Sequence, residues 1–193
     1  MKLPYTLGLM LVLIMSVAHS QEKKIERESR VKLKETPKDM QSVLMPFVSE
    51  AKKLKYYQEY DGKRITYEAK VILHKRHFSI EFSEEGKLED VEVIYCFTEL
   101  PQDTQDAIVD YLMQYANFKI KKTQKQFTDI NKSDSGVIQG AIENDNTLTI
   151  KYELVISIKE SVHWASFELL FDRNGKLLEK KEMANRSEDH LLY

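Results

Sequence analysis

Apolar and polar residues alternate along much of the chain. Ile65, Tyr67, Ala69, Val71 and Leu73 fall on every second position, as do Phe78, Ile80 and Phe82. After a turn at Gly86 the pattern resumes with Val91, Val93 and Tyr95. A period of two places successive side chains on opposite faces, which predicts half-buried strands. A second set follows: Leu148, Ile150, Tyr152, Leu154, Ile156 and Ile158, then Phe167, Leu169 and Phe171, with Asn174-Gly175 as a hairpin-turn dipeptide. Helical periodicity precedes each set. Thr104, Ala107, Ile108, Tyr111, Leu112 and Tyr115 form one stripe of an amphipathic helix. The residues 64 positions earlier, Met40, Val43, Leu44, Phe47, Val48 and Ala51, form another.

The two stretches share more than a pattern. Pro37-Lys38-Asp39-Met40-Gln41 recurs as Pro101-Gln102-Asp103-Thr104-Gln105, Tyr67-Glu68 as Tyr152-Glu153, and Gly86-Lys87-Leu88 as Gly175-Lys176-Leu177. Pro101 suits a first helical turn, and Asp103 favours its positive end. Pro46 lies inside the first stripe, which predicts a kink or a late start there. The expected organisation is an α+β chain of two tandem units, 37–97 and 98–184, each a helix on an antiparallel sheet, with Ile108, Leu112, Phe167 and Leu169 in the core. Residues 21–36 are charged and nearly free of apolar side chains, and read as a solvated linker. Residues 128–147, rich in Asn, Asp, Ser and Gly, read as a loop, and 185–193 as a polar tail.

The amino-terminal stretch carries a different signal. Lys2 precedes an apolar run from Leu7 to Val17, and Ala18-His19-Ser20 offers small residues where a signal peptidase reads. Residues 1–20 are therefore expected to be a signal peptide cut after Ser20, leaving an exported, periplasmic or extracellular chain with no stable membrane insertion. The charge balance of 29 Lys+Arg against 31 Asp+Glu argues against a polybasic nucleic-acid binder. Cys96 is the single cysteine, so no internal disulfide is available, and its strand-like surroundings predict a buried, inert thiol.

The unit Leu100-Pro101-x-x-Thr104-x-x-Ala107-Ile108, then Tyr152-Glu153, then Phe171-x-x-x-Gly175-Lys176-Leu177, resembles the beta-lactamase-inhibitor-like, PepSY-like family. The resemblance covers roughly residues 37–184 and is stronger at the helix of the second unit. It implies an exported protein of tandem units, each a helix laid across an antiparallel sheet, and it carries no catalytic residues over to this chain. Pro46 and the longer second hairpin depart from the pattern.

The residues offer little catalytic equipment. No Gly-x-Ser-x-Gly elbow, His-Glu-x-x-His or phosphate-cradling glycine loop is present. His74 and His77 flank Lys75-Arg76 at an expected hairpin tip, with no cysteine or carboxylate set to complete a metal site. No catalytic, cofactor or metal residue is assigned. The remaining candidates are His163 and Trp164, the only tryptophan, in the extended hairpin of the second unit, because exposed Trp anchors interfaces. Tyr67 and Tyr152 are weaker candidates, since their alternation places them in the core. The expected function is a non-enzymatic, protein-binding or inhibitor-like module whose partner is another envelope or secreted protein. A carrier of a small apolar ligand and a small hydrolase with an unrecognised site are the alternatives.

Overall fold

The computed structural model describes residues 23–183 apart from 25 and 63. The expected signal peptide, its cleavage site and the polar tail lie outside the described residues. The strands are β1 (Lys23–Lys24), β2 (Glu26–Val31), β3 (Lys52–Asp61), β4 (Arg64–Leu73), β5 (Arg76–Ser83), β6 (Leu88–Tyr95), β7 (Phe118–Thr128), β8 (Thr149–Glu160), β9 (His163–Asp172) and β10 (Leu177–Met183). The helices are α1 (Lys38–Leu44), α2 (Gln102–Leu112) and α3 (Asp134–Glu143). All ten strands form one sheet in the order β1-β10-β9-β8-β7-β6-β5-β4-β3-β2. Every pairing is antiparallel except the two-residue contact of β1 with β10. This is an α+β fold, and β6 pairs with β7, so the two halves share one continuous sheet. Among the described residues no helix is long and apolar enough to cross a membrane.

One face of the sheet carries the core. Ala69, Val71, Ile80, Phe82, Val93, Phe127, Leu154, Ile156, Leu169 and Phe171 are buried there, and Met40, Ile108, Leu112 and Ile138 close over them from the three helices. Phe167 is buried with them. Burying side chains of this size stabilises by roughly 1.5–3 kcal/mol each, which makes this layer the main source of stability in a chain without a disulfide.

The details of the first half recur in the second. Turns of 3-10 helix over Leu33–Glu35 and Phe97–Glu99 lead into α1 and α2. The Lys32 N–H donates to Glu35 Oε2 at 2.7 Å, and the Cys96 N–H to Glu99 Oε2 at 2.9 Å. Gln41 Nε2 donates to the Thr36 carbonyl at 2.8 Å, as Gln105 Nε2 does to that of Leu100 at 2.7 Å. Gly86 and Gly175 have φ of +87° and +81°, and each turn presses on its helix. A Cβ at Gly86 would stand 2.7 Å from Pro37 Cβ, and one at Gly175 would stand 2.8 Å from Ala107 Cβ. These glycines are therefore required twice over, by backbone angle and by space.

Several expectations need correction. Residues 26–31 of the expected linker form β2, the edge strand of the sheet, paired with β3. An edge strand needs backbone pairing more than apolar side chains, and charge on it deters pairing with another chain. Residues 134–143 of the expected loop form α3, capped by Ser133 Oγ accepting the Gly136 N–H at 3.2 Å and ended by Asn144 in the left-handed region. Val137, Ile138 and Ala141 bury its inner side, and Gly140 lets Leu148 approach. Cys96 is exposed, because β6 stops at Tyr95 and the thiol leads the following turn. Pro46 acts differently from the expected kink or late start: α1 begins at Lys38 but ends early, at Leu44, and tightens into a 3-10 turn over Met45–Phe47, because proline cannot continue the helix.

Candidate functional site

Alternation along β9 fixes the position of Trp164. Phe167, Leu169 and Phe171 point into the core, so Trp164, Ser166, Glu168 and Leu170 share the opposite, polar face. Trp164 pairs across the hairpin with Lys159, and the Lys119 ammonium from β7 lies 4.8 Å from its ring centroid. The indole remains 39% exposed beside Val162, which is 93% exposed at the tip. His163 sits on the other face, within 3.8 Å of Glu160 and largely in solvent. The hairpin thus keeps the two residues adjacent in the chain but aims them to opposite sides. Tyr152 is buried and Tyr67 half-buried, in line with core positions.

The polar face behaves unlike a solvated surface. Glu68 on β4, Glu81 on β5 and Asp90 on β6 stand directly opposite one another, as do Glu28 and Glu59 at the edge. Like charges in register are unfavourable, yet Glu68 and Glu92 are buried. Burial, with Asp90 next, holds the Glu81 carboxyl well above its ordinary range. Burial and then Glu153 do the same to Glu92. Hydrogen bonds offset part of this: Gln124 Nε2 donates to Glu92 at 2.6 Å and Gln126 Nε2 to Asp90 at 3.0 Å. The Lys70 ammonium bridges Glu28 at 3.1 Å and Glu68 at 3.0 Å. Sequence reading missed these carboxylates as a group because no two of them are close in the chain except Asp90 and Glu92. Only strand register brings them together.

Curvature explains the burial. One cavity on this face is lined by Lys53 and Lys55 of β3 and by Lys122 and Gln124 of β7, four strands apart. In a flat sheet those strands would be about 19 Å apart. The sheet therefore curls around its polar face. Strands β1 and β2 agree, since β2 pairs with β3 at one end of the sheet and β1 with β10 at the other.

A second cleft, of about 450 Å³, lies between Phe47, the β4–β5 turn and α3, with Leu73 and Ile142 among its walls. It gathers His74, Glu50, Ser133 and Ser135, residue types a hydrolase would use. His74 faces Glu50 at 3.4 Å, whereas Ser133 caps α3. Among the described residues no hydrogen bond joins either serine to the histidine, so a nucleophile–base pair is not assembled.

No protein-family model matches the chain, and no curated protein matches it. Solved structures do resemble it. A DUF2874 family protein from Bacteroides ovatus superposes with a TM-score of 0.53 at 16% identity, over 76% of this chain and 87% of that one. A presumptive periplasmic protein from Bacteroides eggerthii gives 0.50 at 11% identity, over 76% and 88%. A BLIP-like protein from Bacteroides fragilis gives 0.49 at 17% identity, over 80% and 92%. At these identities the likeness concerns fold alone: the chain shares its α+β fold with the Bacteroides ovatus and Bacteroides eggerthii proteins.

Proposed function

We propose that the protein is an exported, non-enzymatic binding module made of two copies of one unit, which grips an envelope or secreted protein through the β8–β9 hairpin. The observation that carries this reading is Trp164, a half-exposed indole on the polar face beside an almost fully exposed Val162, held by the Lys119 ammonium. A large rigid ring fixed at the end of a hairpin is the kind of group that dominates binding energy. His163 would add a polar contact from the opposite side of the same tip. Export is supported by the apolar leader ending at Ala18-His19-Ser20, and by the name of the Bacteroides eggerthii relative.

The test is capture of partners from envelope extract by the chain lacking residues 1–20, beside its Trp164→Ala variant. The expected result is a loss of captured partner by roughly thirtyfold, about 2 kcal/mol, with little change in melting temperature. Unchanged capture, or a large fall in melting temperature, would remove the hairpin from the reading. The carrier of a small apolar ligand is the second reading, favoured by the cleft of about 450 Å³ beside Phe47, Leu73 and Ile142. Solvent extraction of the purified chain followed by mass spectrometry checks it: a stoichiometric apolar molecule is the result it requires.

A further inference from the structure

Next to the carboxylates, one end of the polar face is rich in lysine; Gln124 and Ser79 of its lining adjoin Glu92, on which the Lys122 charge acts. A cavity of about 110 Å³ opens there, with Lys53, Lys55, Lys70 and Lys122 around it and Ile72 and Ile94 among its apolar lining. Lys70 is already bound to Glu28 and Glu68. Among the described residues no carboxylate lies within ion-pair distance of Lys53, Lys55 or Lys122.

The backbone is shaped around the same place. Strand β3 slips register between Lys52 and Lys55, with Lys53 in the left-handed region at φ 54°, an unusual conformation for a residue with a side chain. Strand β7 slips register between Ile120 and Lys122. Bulges of this kind re-aim side chains and gather next to binding sites, and here each one immediately precedes a lysine of the cavity. Lys55 is left directly opposite Lys70, a like-charge pair that weakens the sheet.

We propose that this cavity binds small organic acids, with the carboxylate between Lys55 and Lys122 and the apolar part against Ile72 and Ile94. A carboxylate supplies the charge that the unpaired ammonium groups lack, and partial enclosure by the curled sheet strengthens that attraction over its value in open water. The lining contains no arginine fork to match a phosphate in two-pronged fashion, while its isoleucines favour a ligand with a hydrocarbon portion. This inference is independent of the hairpin and its partner.

Titration calorimetry of the purified chain with hexanoate and with benzoate, at low salt, tests it, with hexanol as the uncharged control. One of the two acids should bind saturably at millimolar concentration or below, and hexanol should not. Lys55→Gln with Lys122→Gln should weaken binding at least tenfold with the melting temperature held. Ile94→Glu, at a position already 39% exposed, should abolish it by placing a carboxylate in the cavity. Absence of saturable binding by either acid, equal binding of hexanol, or full binding by a folded double variant would overturn the proposal.

Discussion

Glu92 illustrates how a single buried carboxyl links stability to pH. Its proton is held more tightly in the folded chain than in the unfolded one, where the ordinary value is 4.5. The penalty for ionising it is therefore absent below that pH and grows as pH rises through the higher folded value. Glu92→Gln should raise the melting temperature at pH 7 and have little effect at pH 4, a dependence opposite in sign to common acid denaturation. Lys125 runs the other way. Burial first, then Arg173 and Arg76, lower its ammonium from 10.5 to about 8, with Asn144 Oδ1 accepting at 2.7 Å. A base lowered on folding disfavours the native state while charged, so native stability should climb between about pH 8 and 10. Lys125→Met should remove that climb and raise the melting temperature at pH 7, as denaturation at several pH values would register. Gly175→Ala combines a left-handed φ with a 2.8 Å approach to Ala107 Cβ. It should cost ~2 kcal/mol in chemical denaturation.

Elements were legible in the sequence where burial is one-sided. Strands β4, β5, β6, β8 and β9 announce themselves by alternation, since their two faces meet a dry core and a polar surface. Helix α3 did not, because Gly136 and Gly140 mimic loop composition and its apolar residues are only four: Val137, Ile138, Ala141 and Ile142. The Ser133 cap and the apolar i, i+4 pair Val137 and Ala141 were the available signs. Strand β2 was hidden for a different reason. Its charged side chains look disordered, and its partner is a strand some thirty residues away. Ser133→Ala should lower stability by about 1 kcal/mol, measurable by urea denaturation, through loss of the helix cap. The carboxylate row was invisible for the same reason as β2: it is a product of register, and register is set by distant pairings.

At the scale of the whole molecule, the same curl of the sheet produces two unlike neighbourhoods on one face. Carboxylates crowd its middle while lysines collect at one end, and Trp164 stands at the rim of the same face. A molecule of near-zero formal charge, −2 in all, thus presents strongly polarised ground. Association through this face should weaken as salt rises, since exposed charges are screened over about 8 Å at physiological ionic strength. Partner capture measured at low and high salt would register that dependence.

The segment that touches both ends of the sheet also sets an order in time. Lys23 and Lys24 lie against Glu182 and Met183, so the first and last described strands are neighbours. A chain synthesised or threaded across a membrane from its amino terminus cannot form that contact until nearly all of it has emerged. Its earliest described strand, whose one pairing is with β10, must wait for its latest. Closing so long a loop is entropically slow, and during the wait the charged residues of β2 keep an open edge from recruiting another chain.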